Sequence, residues 1–224
     1  MNIRARDFFS KAEKEQIKRS VAAAETHTSG EIAVMLVDES DRYREAQVAG
    51  ALAVAGLVST IISLVLDHIA ASSWSFVPDP HYTSIWFWIP ATAVLLVPAW
   101  YLFEVFPHLK LALVGRKRVE LAVRQRSLLS FYQKGLHRTR NRTGILIFIS
   151  LLERKVRIMG DRGIHVRIGQ EFWNARAGEL VRGVREGRAL EVLTEVINKC
   201  GVELANHFPC GPDNPDEVPD DVIC

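Results

Sequence analysis

The chain has little cysteine, no apolar run in its opening residues and none of the short fingerprints that mark common catalytic sites. Three cysteines in 224 residues, Cys200, Cys210 and Cys224, are too few for a disulfide framework. Cys200, His207 and Cys210 follow no compact zinc spacing. The opening residues MNIRARDFFSKAEKEQ contain no apolar run, so no cleaved secretory signal is expected there. P-loop, nucleophile-elbow, His-Glu-x-x-His and dinucleotide patterns are all missing, which leaves the corresponding enzyme classes without their usual marks.

Charge is missing from two long internal runs, 46–66 and 85–103. Each is close to the roughly 20 apolar residues that a helix needs to cross a bilayer. The segment 46–114 therefore reads as a transmembrane helical hairpin with a short external loop at 67–84. That loop has no Lys or Arg, whereas Arg42, Arg44, Lys110, Arg116, Lys117 and Arg118 flank the hairpin. The bias predicts a multi-pass protein of the cell inner membrane with both termini in the cytoplasm. A buried hairpin in a soluble protein is the alternative, and the strict charge gaps argue against it.

The remaining residues are rich in charge and carry clear folding signals. Ser10 and Glu13 form a capping box, after which Ile17, Val21 and Ala24 fall on one helical face. EIAVMLV at 31–37 and ILIFISL at 145–151 read as strands buried on both faces. Between the second span and the second strand, 115–142 reads as one long basic helix, with nine Lys or Arg against the single acid Glu120. Glu153 and Arg154 make a tight exposed turn into a hairpin partner at 156–159, and Asp161 with Arg162 and Gly163 forms a further turn. Helices follow at 170–185 and 189–208. The acidic, Pro-rich tail 209–224 is expected to be extended or partly disordered.

A helix, a glycine and a strand thus occur before the hairpin and again after it. Strand, crossover and strand make a βαβ unit, so the hairpin is inserted in the crossover of a single sheet. The expected fold class is α/β: a mixed sheet flanked by helices, formed by the discontinuous residues 1–45 and 115–208. The two spans would then leave and re-enter the same face of that domain.

The order of these pieces resembles the TPM domain family, and its bacterial membrane-inserted branch in particular. The resemblance is carried by Phe9-Ser10 with Glu13-Lys14, Thr28-Ser29-Gly30-Glu31-Ile32-Ala33-Val34, Arg142-Thr143-Gly144-Ile145-Leu146-Ile147-Phe148, Glu153-Arg154-Lys155-Val156 and Asp161-Arg162-Gly163-Ile164. Trp173 and His207-Phe208-Pro209 also fit. The resemblance implies a mixed sheet with flanking helices. It also implies one of three roles: acid phosphatase, calcium binding, or service to membrane complexes. Phosphatase-type members carry Asp-Asn-Gly before the central strand. Here Arg142-Thr143-Gly144 puts a cation in place of the carboxylate.

Asp7, which matches an acidic position of the family, together with Asp38 and Asp161 could hold a divalent cation such as calcium through oxygen ligands. Asp38 and Asp41 could instead cap the following helix, and Asp161 could simply make a turn. Arg116, Lys117, Arg118 and Arg124 at the start of the basic helix are candidates for contact with anionic lipid head groups. Aromatics are too sparse along that helix for a nucleic-acid surface. The function read from the chain is a membrane-anchored, non-catalytic interaction or assembly module at the cytoplasmic face, partnered by another membrane protein. A metal-dependent phosphatase-like enzyme is the alternative.

Overall fold

The first turns follow directly from local sequence. After a four-residue helix α1 (Ala5–Phe8), Ser10 adopts extended geometry and accepts the N–H of Glu13, while its own N–H donates to the Glu13 carboxylate at 2.7 Å. This reciprocal cap satisfies two of the N–H groups that a helix start leaves unpaired. It opens α2 (Lys11–Glu25), whose Ile17, Val21 and Ala24 are buried. The structure, a computed structural model, describes residues 4–72, 85–139, 141–210 and 222–223. The described residues are mostly helical, with a small mixed sheet of three strands.

The chain divides into two compact units, residues 1–41 with 120–224 and residues 42–119. In the first unit, β1 (Glu31–Val37) is buried at every position. The chain then passes through the second unit and returns along the later part of α6 (Arg116–Gln133), within which the division falls. β2 (Gly144–Ser150) pairs parallel with β1, Glu31 opposite Gly144 and Val37 opposite Ser150, and β3 (Lys155–Gly160) pairs antiparallel with β2. A one-turn helix α7 (Arg162–His165) precedes α8 (Gln170–Arg185) and α9 (Ala189–His207).

The two-residue period of the strands sorts their side chains between two cores. Ile32, Val34, Leu36, Ile145, Ile147 and Ile149 join α2, α8 and α9 through Ile17, Leu180, Leu193 and Ile197. Ala33, Met35, Val37, Leu146 and Phe148 pack instead with Val123 and Phe131 of α6. The sheet is thus covered by helices on both faces, as expected when strands are apolar on both sides. Glycine permits a close helix contact: a Cβ at Gly201 of α9 would lie 2.6 Å from the Cβ of Ala24 of α2.

The basic helix differs from its predicted extent. α6 ends at Gln133, because Gly135 takes a left-handed φ of 74° and a short 3-10 turn, Leu136–Arg138, follows. Only glycine reaches that conformation without a Cβ penalty, so the stretch to residue 142 is not one helix. Asp161 also departs from the plain turn expected of it: it is the N-cap of α7 and accepts the Arg162 N–H at 2.6 Å. Most of the tail beyond residue 210 lies outside the described residues. Ile223, however, pairs with the outer edge of β1, accepting the Leu36 N–H at 2.8 Å and donating to Val34 at 3.1 Å.

In the second unit, α3 (Arg44–Ser72) and α4 (Ile85–Val105) pack through Ala51, Ala55, Ala99 and Phe103. A Cβ at Gly50 would come within 2.4 Å of the Phe103 ring, so the two helices meet where a side chain is absent. Stretches of 26 and 21 residues in these helices are long and apolar enough to cross a bilayer, with only 28 % and 6 % of their most apolar windows buried. A core helix of a soluble protein would have most of that surface covered. α3 runs past residue 66 to Ser72, so the start of the predicted loop 67–84 is helical, and the rest of that loop lies outside the described residues. Trp88 donates to Thr60 at 3.0 Å between the helices. A short α5 (Pro107–Leu113) buries Lys110, which lies 3.8 Å from Glu104, and Glu104 in turn accepts from Gln47 at 2.8 Å.

Candidate functional site at the carboxyl end of the parallel strands

In open α/β sheets ligands bind beyond the carboxyl ends of the parallel strands. Here that end holds Asp38 and Ser40 after β1, and Ser150 with Glu153 at the β2–β3 turn. Glu153 is not the exposed turn residue that its sequence context predicts, being only 8 % accessible. Its carboxylate accepts the Ser40 N–H at 2.9 Å and the Ser150 hydroxyl, and the Ser40 hydroxyl donates to Ser150 at 2.9 Å. Two backbone bonds reinforce the join: Leu151 N–H to Val37 at 3.0 Å and Leu152 N–H to Asp38 at 2.9 Å. One buried carboxylate therefore holds together two segments that are distant in the chain.

Asp38 also serves the backbone. Its carboxylate accepts the N–H of Ala5, the first residue of α1, which has no side-chain cap of its own. Asp38 thus caps a preceding helix rather than the one that follows, and this brings it to the start of the helix that carries exposed Asp7. Asp161 does not join them. It lies at the opposite end of the sheet, where its N–H donates to Gly144, about 20 Å away at the usual rise of a seven-residue strand. Asp7, Asp38 and Asp161 therefore do not form one cation site. Among the described residues no three His, Cys, Asp or Glu side chains are placed to hold a metal ion.

Beside Glu153 a cleft of about 500 Å³ opens along the free edge of β3. Arg154, Lys155 and Arg157 enter it from the turn and β3, Arg185 from α8, and Glu120 from α6. Val123, Val156 and Val181 supply apolar wall. None of the four cations makes an ion pair among the described residues. Arg157 lies opposite Phe148 on the α6 side of the sheet, and its Nε is buried without a hydrogen-bond partner. Burial first, and the neighbouring Arg124 second, push its guanidinium below the ordinary arginine value, against a smaller pull from Glu120. Arg154 holds a left-handed φ of 52° at the turn.

The predicted lipid-contact residues are spread over both units. Arg116, Lys117 and Arg118 belong to the second and Arg124 to the first. Arg116, Lys117 and Arg124 are exposed. Arg118 is already engaged, 2.9 Å from Glu45 and stacked over the Tyr43 ring at 5.7 Å. Sequence reasoning missed the cleft, although the adjacent Arg154 and Lys155 were visible. Nothing local signals that Arg185, thirty positions later, faces them.

No family model matches the chain, and no curated protein matches it. A solved structure is similar in fold: the NMR structure of the BA42 protein from the psychrophilic bacterium Bizionia argentinensis. It is 19 % identical and aligns over 96 % of this chain and 94 % of its own, with a TM-score of 0.55. At that identity the likeness concerns the fold alone.

Proposed function

We propose that the protein is a membrane-anchored, TPM-type interaction or assembly module without catalytic activity of its own. In this reading it lies in the inner membrane with both termini cytoplasmic and serves another membrane protein. One observation carries it. Two long helices whose apolar side chains are mostly uncovered are spliced between β1 and β2, adjacent strands of one sheet. Apolar surface of that extent requires a cover, and a bilayer matches both its length and its lack of charge. The absence of Lys and Arg from 67–84 favours placing that segment outside.

An interaction role is supported by α6, where Leu121, Leu128 and Leu129 are 43–50 % exposed and Tyr132 is 54 % exposed. With Arg124 beside them they form a mixed apolar and basic face of the kind that docks on partners or lipid. Arg116 and Lys117 remain candidates for anionic head groups.

The test is affinity capture of the intact protein in mild detergent, compared with a variant carrying Leu121→Ser and Leu128→Ser. A membrane protein co-purifying in stoichiometric amount with the wild type and lost from the variant is the expected result. Release of the protein from membranes by alkaline carbonate would overturn the anchoring, and an unchanged partner set would overturn the α6 face.

A further inference from the structure

We propose that the cleft along β3 is a binding site for a phosphate-bearing ligand, held by Arg154, Lys155, Arg157 and Arg185. The inference goes beyond an interaction role and does not depend on the membrane anchor.

Four features carry it. Cations from a turn, a strand and a helix converge on one concavity of about 500 Å³, within the size range of small-molecule sites. They outnumber the two lining carboxylates, and Glu153 directs both of its oxygens to Ser40 and Ser150. The Arg157 Nε is buried and unpartnered, a costly arrangement for a charged donor unless an acceptor arrives. The site also adjoins the carboxyl end of a parallel strand pair, where such folds bind ligands.

Phosphate fits these donors better than a carboxylate does. Guanidinium forks bind it through two parallel hydrogen bonds, and its extra oxygens can engage several cations at once. Val123, Val156 and Val181 leave room for a short apolar portion next to the phosphate. A competing explanation is that basic residues on an edge strand merely discourage pairing with other chains. That role requires charge but no affinity, so binding separates the two.

The experiment is calorimetric titration of the intact protein in nonionic detergent with inorganic pyrophosphate and, separately, with dioctanoyl phosphatidic acid. The expected result is saturable binding of at least one probe with a dissociation constant on the order of 1 mM or tighter. Arg157→Gln and Arg185→Gln should each weaken it about tenfold or more, as loss of a charge-assisted bond does. Arg19→Gln, an exposed cation of α2 outside the cleft, should leave it unchanged.

Arg154→Gly guards against misfolding. It removes a cation at a φ that glycine adopts more readily, so weaker binding with an equal or higher melting temperature is expected. Preference for pyrophosphate identifies a soluble phosphate ligand, and preference for phosphatidic acid a lipid head group; either supports the site. Failure of both probes, or equal weakening by Arg19→Gln, overturns it.

Discussion

The backbone N–H of Ser40 donates to the Glu153 carboxylate at 2.9 Å across 113 residues of chain. The bond joins the segment leaving β1 to the turn leaving β2, so the two parallel strands are tied together at their carboxyl ends. Glu153→Ala leaves the Ser40 N–H and the Ser150 hydroxyl without their acceptor. Each unmet buried group costs about 1–3 kcal/mol. The expected outcome in chemical denaturation is a marked drop in midpoint for Glu153→Ala and a smaller one for Glu153→Gln, which keeps one acceptor. Two curves superimposing on the wild type would show the network to be dispensable.

Two glycines should respond with opposite signs. A Cβ at Gly201 meets the Ala24 side chain at 2.6 Å and its backbone at 3.1 Å. Gly201→Ala must therefore push α2 and α9 apart, at about 1–3 kcal/mol. At Gly178 of α8 nothing lies within 4 Å. Gly178→Ala should stabilise the helix by up to about 1 kcal/mol. Thermal melts of the two variants on one preparation decide the matter, and equal shifts would contradict the packing.

The cysteines differ sharply in reactivity. Burial pushes the Cys200 thiol up to about 12, whereas Cys210 is exposed. In a Cys224→Ser background, maleimide should modify Cys210 in the native protein and reach Cys200 only after denaturation. Cys210 is therefore the useful reporter of orientation. An impermeant thiol reagent should spare it in intact cells and label it after lysis, and labelling in intact cells would invert the proposed topology.

Acid should weaken the start of α2. Hydrogen bonds from the Ser10 backbone and then from its side chain hold Glu13 below the ordinary value of 4.5. A carboxylate lowered in the folded state stabilises above its unfolded value. That contribution is lost as pH falls from about 4.5 through the lowered value. Glu13→Gln removes the titration, so its stability should change less with pH in this window. Parallel denaturation curves for the two proteins through the acid range would refute the capping role.

Elements governed by neighbouring residues were legible in the sequence. The capping box, the fully buried β1 and β2, and the helices α8 and α9 all appear within a residue or two of their expected places. What escaped was set by distant contacts. The burial of Glu153 depends on Ser40, and the capping duty of Asp38 depends on Ala5, thirty-three residues earlier. The separation of Asp161 from Asp7 and Asp38 depends on strand register rather than on any local pattern. Gly135 was visible but its left-handed φ was not, so α6 was read too long.

The position of β1, between β2 and Ile223, dictates an order of manufacture. A ribosome delivers EIAVMLV with neither neighbour yet made, since both β2 and Ile223 lie beyond the two apolar helices in the chain. During that interval the segment has the sequence character of an aggregation-prone strand: β-favouring, apolar and charged only at Glu31. Of the long helices that cover β1, only α2 precedes it in the chain, and its Ile17 and Val21 share a core with Ile32 and Val34. A chain cut before residue 222 would lose both backbone bonds that Ile223 makes to the outer edge of β1.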